Sequence, residues 1–134
     1  MKEEVSAGVI LFNEDEEFLL LNYPSKHWDF VKGKMEKDET PHETALRETK
    51  EETGISDVEF IDGFKEEIEY YFYANNQEIH KKVIFFLGKT KTIEIILSHE
   101  HLDFIWLDFD NALEKITYKN AKNLLKKSRK FLDN

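Results

Sequence analysis

Residues 33–55 read GKMEKDETPHETALRETKEETGI, and their pattern decides how the rest of the chain is read. Thr40 and Pro41 mark a helix start, with threonine as N-cap and proline at the first helical position. Glu43, three residues after Thr40, completes a capping-box pattern. Gly54 follows the last periodic residue and is the expected stop. The spacing therefore predicts a helix over 41–53. At ~100° per residue, with Arg47 at the origin, Glu51 falls near ~40°, Glu48 near ~100° and Glu52 near ~140°. Three carboxylates thus share one face. Ala45, Leu46, Thr49 and Thr53 take the other side, which is expected to pack on a sheet.

That acidic face carries two electrostatic costs. Like charges at (i, i+4) repel, and the last helical turn disfavours anions. A divalent cation would reverse both. Oxygen-only ligands suit Mg²⁺ or Mn²⁺ rather than zinc or copper. Arg47, one turn before Glu51, is placed to hold that carboxylate by a bidentate contact. The bland alternative is a solvated acidic face. It does not account for the glycine loop, the caps and the arginine occurring together.

Gly33, Glu39, Arg47, Glu48, Glu51, Glu52 and Gly54 fall at the fixed positions of the Nudix box, and the chain resembles the Nudix hydrolases. At typical residue frequencies such a match arises by chance on the order of once in 10^7 starts. The resemblance implies an α/β protein with the Nudix fold, an α/β/α sandwich around a central mixed sheet, over a single domain spanning 1–134. It implies Glu48 and Glu52 as metal ligands, and Glu51 as metal partner or general base held by Arg47. It also implies the backbone carbonyl near Lys32 as a further ligand. Gly33 and Glu39 shape the loop.

Outside the box, Lys26-His27-Trp28, Lys32-Gly33, Gly63-Phe64-Lys65-Glu66-Glu67, Ser98-His99-Glu100-His101 and Trp106-Leu107 resemble the asymmetrical diadenosine tetraphosphate hydrolases. Thr49 inside the box resembles the same group. The likeness runs over about 5–125 and makes Glu100 the distant carboxylate that completes the metal cluster or takes the water proton. The base role stays shared between Glu51, Glu52 and Glu100. For the substrate the resemblance offers Lys32, Lys65, Lys81 and His27 for phosphates. Tyr70 and Tyr118 are its stacking positions for adenine, with Tyr23 as an additional candidate. Each has a plainer reading: strand aromatics pack across strands, and edge lysines guard against aggregation. Trp28 and Trp106 read as core residues, His42 as structural, and His99 and His101 as polar loop residues.

The implied reaction is hydrolysis of diadenosine tetraphosphate to ATP and AMP with Mg²⁺ or Mn²⁺. Rival readings are removal of pyrophosphate from RNA 5′ ends, cleavage of another nucleoside diphosphate derivative or of diphosphoinositol phosphates, and a non-catalytic nucleotide-binding module. The last would be expected to have lost a ligand glutamate, and Glu48, Glu51 and Glu52 are all present.

Composition narrows the class. The 134 residues suffice for one domain with a core. A formal net charge of −9 argues against long nucleic acid as a partner. No cysteine is present, which excludes disulfides and thiol chemistry. No stretch is long and apolar enough to span a membrane, and the acidic N-terminus does not read as a signal peptide. A cytoplasmic monomer is expected.

In chain order, strands are expected over 5–12, 18–22, 58–64 with a bulge at Gly63, 67–73, 80–87, 92–97 and 104–107, with a short extended piece at 27–30. A brief helix over 111–115 has Asp108 or Asp110 as its cap. Thr117 is the expected cap of a last helix over 118–132.

Overall fold

The computed structural model describes all residues, 1–134. Helix α1 is Pro41–Thr53. Thr40 accepts from the Glu43 N–H while the Glu43 carboxylate accepts from the Thr40 N–H, so both halves of the capping box are made. Gly54 ends the helix at φ +79, a left-handed conformation that a side chain would strain.

The strands are β1 (Lys2–Phe12), β2 (Phe18–Asn22), β3 (Trp28–Asp29), β4 (Val31–Lys34), β5 (Glu59–Ala74), β6 (Gln77–Lys89) and β7 (Asp103–Leu107). They form one sheet in the order β3-β2-β1-β6-β5, with β4 added beside β1 and β7 beside β2. β1 and β6 run parallel and the other pairs are antiparallel, so the sheet is mixed. Two strands share one edge of β1. β4 pairs with Ser6 to Val9, and β2 meets it only at Phe12. This division bends the sheet there and brings β4 against α1.

Side-chain alternation separates two faces. Ala7, Ile84 and Phe86 point to the α1 side and pack with Ala45. Ile10, Val83, Phe85 and Leu87 point the other way, onto Ala112 of α2 (Phe109–Lys115) and Ala121, Leu124 and Leu125 of α3 (Lys119–Leu132). Helices therefore cover both faces, and the expected sandwich is the fold.

Several expectations need correction. β1 begins at Lys2. The two strands expected over 58–64 and 67–73 are one, β5, bent where the register slips between Phe60 and Lys65 around Gly63. Residues 92–97 are not a strand, and their polar backbone groups bond elsewhere: the Ile96 N–H donates to the Thr53 carbonyl at the end of α1 at 2.9 Å, and the Ile93 carbonyl accepts from the Trp106 indole at 3.0 Å. Thr117 does not cap α3. Its hydroxyl accepts from the Trp28 N–H at 2.8 Å, and Tyr118 is the N-cap without a side-chain bond. Asp108 is the cap of α2. Leu46, expected on the packed side of α1, is 38% exposed, and Thr44 takes its place in the interior. Trp28 and Trp106 are only partly buried, packed at the edges of the core.

Candidate active site

β4 and α1 build the acidic end of the site. A Cβ at Gly33 would lie 2.0 Å from Glu48 Cδ, so glycine here lets the carboxylate lie over the strand, and any side chain would push it out of place. Arg47 organises the surroundings. Its Nε and Nη2 donate to the two oxygens of Glu39 at 2.6 and 3.0 Å, and Nη2 also reaches the Lys34 carbonyl at 2.9 Å. The bidentate contact expected with Glu51 is thus made with Glu39. Glu51 receives one bond from Nη1 at 3.2 Å, and Glu48 one at 2.8 Å. Hydrogen bonding from Arg47, then from the Glu36 N–H, holds the Glu39 carboxyl down at about 2. The loop is pinned at the point where it enters the helix.

Glu52 is the buried member of the cluster, 3% exposed. Neither of its oxygens has an aligned hydrogen-bond donor. Burial, then the neighbouring Glu48 carboxylate, then the charges of Glu100 and Glu51, push its carboxyl far above the usual range. A cavity of about 370 Å³ with no hydrophobic side chain in its wall joins Glu48, Glu51 and Glu52 to Glu100. The side chains do not converge as a finished ligand set. Arg47 draws Glu48 and Glu51 towards itself, doing part of what a cation would do. A buried carboxylate with two unserved oxygens, beside the carboxylates of Glu36, Glu48, Glu51 and Glu100 in a polar cavity, fits a hard divalent cation.

The cationic and aromatic parts lie next to it. A second cavity, of about 620 Å³, is lined by Lys32, Lys34 and Tyr23 together with Glu48, Glu52 and Glu100. A third, of about 840 Å³, is lined by Tyr23, His27, Lys32, Tyr70 and Tyr118, with Asp29 at its floor. Shared walls make the three one continuous run. Burial works against the Lys32 ammonium, but Asp29 Oδ2 at 3.0 Å outweighs it and holds the lysine above its ordinary pKa. Tyr23 stacks on His27 at 4.8 Å, and His27 leans on Tyr118 at 5.2 Å. Burial, then the Glu52 charge, keeps the Tyr23 phenol protonated far above its usual range, and its hydroxyl donates to the Phe30 carbonyl at 2.5 Å.

Two candidate lysines are not brought into this run. Lys65 is exposed and paired with Phe86, so it projects from the α1 side of β5, opposite to Tyr70. Lys81 faces the correct side beside Tyr70, but it lines none of the three cavities. It is buried against the Ser6 hydroxyl with Glu4 at 3.5 Å, and burial lowers its pKa. The residues not anticipated are Asp29, Lys34, Lys119 and the pair Asn120 and Asn123; the two asparagines line the aromatic cavity from α3. Their one-turn spacing just after Tyr118 was a usable signal. His101 against Glu52 had none, since the contact joins distant segments.

Residues 2–130 match the NUDIX domain family. A mouse protein named bis(5'-nucleosyl)-tetraphosphatase (asymmetrical) is 38% identical, with 95% of this chain and 94% of that protein covered. A dihydroneopterin triphosphate diphosphatase from Haemophilus influenzae is 31% identical over 94% of this chain and 87% of its own length. The crystal structure of a C. elegans Ap4A hydrolase binary complex superposes with a TM-score of 0.84 at 30% identity, covering 97% of this chain and 98% of that one. With its helix, loop and carboxylates in place and residues 2–130 matched, this chain belongs to the Nudix hydrolase family.

Proposed function

We propose that this chain hydrolyses a dinucleoside polyphosphate, with diadenosine tetraphosphate cleaved to ATP and AMP. The observation that carries this reading is the continuous run from carboxylates, past lysines, to an aromatic cavity. It matches in order the parts of a nucleoside polyphosphate: reacting phosphorus, phosphate chain, base. The tetraphosphatase name of relatives that align over almost the whole chain supports the same substrate.

The reaction consumes one water. Its oxygen bonds to a phosphorus, one phosphoanhydride bond breaks, and the departing phosphate keeps the bridging oxygen. Glu48 and Glu52 would hold a divalent cation, Mg²⁺ or Mn²⁺, with Glu51, Glu100 and the backbone carbonyl near Lys32 as further oxygens. Such a cation, when bound, neutralises phosphate charge and lowers the pKa of the attacking water. A carboxylate among Glu51, Glu52 and Glu100 accepts the water proton. Arg47 keeps these groups and the Glu39 loop in register. Lys32, fixed by Asp29, meets the phosphate chain. His27 has Nδ1 engaged by the Ser25 hydroxyl, which leaves Nε2 for a phosphate oxygen. Tyr70 and Tyr118 take the base, where stacking contributes about 1–3 kcal/mol. Tyr23 walls the passage between the two ends.

Product analysis in ¹⁸O-water tests the reading, with Mg²⁺, diadenosine tetraphosphate and, in parallel, a triphosphorylated RNA. ATP and AMP, one of them labelled, are expected. Pyrophosphate release from the RNA with an intact dinucleotide would replace the substrate and keep the chemistry.

A further inference from the structure

The loop between residues 97 and 103 carries two histidines that the mechanism above does not use. His99 is exposed, whereas His101 is buried. Nε2 of His101 lies 3.0 Å from Glu52 Oε1, and the two side chains are 3% and 4% exposed. The other ring nitrogen, Nδ1, lies 3.0 Å from the Ser98 hydroxyl. The ring stands edge-on to Tyr23, with centroids 4.6 Å apart and planes at 72°. The backbone holds this loop to the same helix end, because Ser98 N–H donates to the Glu52 carbonyl at 3.2 Å. Neither Glu52 oxygen nor His101 Nε2 has an aligned hydrogen-bond partner, so the two face each other at 3.0 Å without a formed bond. A buried donor and a buried acceptor at this separation satisfy each other or go unsatisfied, and buried polar groups in native proteins are satisfied.

We propose that His101 is a positioning residue for the cation site: its Nε2–H donates to Glu52 Oε1 and leaves Oε2 as the oxygen presented to the cation. The proposal rests on the metal-dependent reading of Glu48 and Glu52. The carboxylate selects the tautomer: with the ring proton on Nε2 facing Glu52, Nδ1 accepts from the Ser98 hydroxyl, which supports that form. Tyr23 stops the ring from turning away. The geometry is that of an outer-shell partner, with the histidine orienting a carboxylate ligand instead of the reverse. It accounts for a buried imidazole in an otherwise exposed polar loop.

The test is Mn²⁺ binding, followed by electron paramagnetic resonance on the full chain after treatment with a chelator. His101→Phe keeps the bulk and the edge contact with Tyr23 but removes the donor. It is expected to bind Mn²⁺ about 10–100-fold more weakly. His101→Gln presents an N–H near the position of Nε2 and is expected to recover most of the loss. Ser98→Ala frees the tautomer and should weaken binding about fivefold, the worth of one ordinary hydrogen bond. AMP binding should be unchanged in His101→Phe and Ser98→Ala, which keep the edge contact holding Tyr23 in the wall of the aromatic cavity. A folded His101→Phe that binds Mn²⁺ as tightly as the parent, or more tightly, would overturn the proposal. If that variant does not fold, Ser98→Ala with unaltered affinity overturns it instead. A parent protein that binds no Mn²⁺ would remove the cation site itself, and this inference with it.

Discussion

At Glu52 the demands of chemistry oppose those of stability. Its carboxyl is buried, crowded by Glu48, Glu100 and Glu51, and raised well above its unfolded value of 4.5. In the cation-free protein the ionised form is therefore disfavoured by folding. Native stability falls as pH climbs above 4.5 towards the raised pKa. Glu52→Gln keeps the shape and removes the penalty. We expect it to lower kcat by several orders of magnitude and, in chelator, to melt above the parent at neutral pH. That gain should disappear below about pH 4, where the parent carboxyl is also neutral. Melting curves at both pH values check this, and a neutral-pH melting point below that of the parent would contradict the burial argument. Glu39 has the opposite sign. Its carboxyl is held near 2 against an ordinary 4.5, so its bonds to Arg47 contribute fully above pH 4.5 and are lost as pH falls through 2. Glu39→Gln should narrow the gap to the parent steadily across that window, read as melting temperature against pH.

At the scale of elements, α1 was legible because its ends are decided locally. Thr40, Pro41, Glu43 and Gly54 act within a turn of themselves, and each does in the fold what its type suggests. Thr40→Ala should accordingly cost about 1 kcal/mol in denaturant unfolding. Residues 92–97 misled because β-branched composition reports a preference for extended backbone, not a partner. Here the hydrogen-bond partner of Ile96 is the carbonyl of Thr53 in α1. Lys65 misled because it falls between the strands expected over 58–64 and 67–73; in the single strand β5 it is an odd number of residues from Tyr70, and alternation sends it to the other face. Nothing local announced that His101 meets Glu52, or that Glu4 and Ser6 occupy Lys81. Those contacts depend on how β1, β6 and the loop after residue 97 assemble. The crossing of β4 under α1 carries its own test. Gly33 has no positive φ, so alanine is allowed by the backbone but not by Glu48, whose carboxylate must swing away. Gly33→Ala should leave the circular dichroism spectrum unchanged and weaken Mn²⁺ binding at least tenfold, by analogy with disturbed ligand orientation.

Across the whole molecule, the proposed reaction asks a chain of net charge −9 to bind a polyanion. Segregation of its side chains answers that demand. Carboxylates collect at one end of the run, where a cation would answer them, and Lys32 and Lys34 line the passage. The aromatic cavity at the far end would add affinity that owes nothing to charge. Tyr118 isolates that contribution, because it is half-exposed at the mouth and its loss empties no core. Tyr118→Ala should raise KM for diadenosine tetraphosphate about 5–150-fold, the equivalent of about 1–3 kcal/mol of stacking. kcat and Mn²⁺ affinity should stay near parent values, since the carboxylates are in a different cavity. Raising the salt concentration should weaken the parent and the variant by the same factor, because the lost interaction is not ionic. An unchanged KM would remove Tyr118 from the base site. A fall in kcat of the same size as the rise in KM would mean that the base helps to place the reacting phosphorus, so that the two ends of the run act as one.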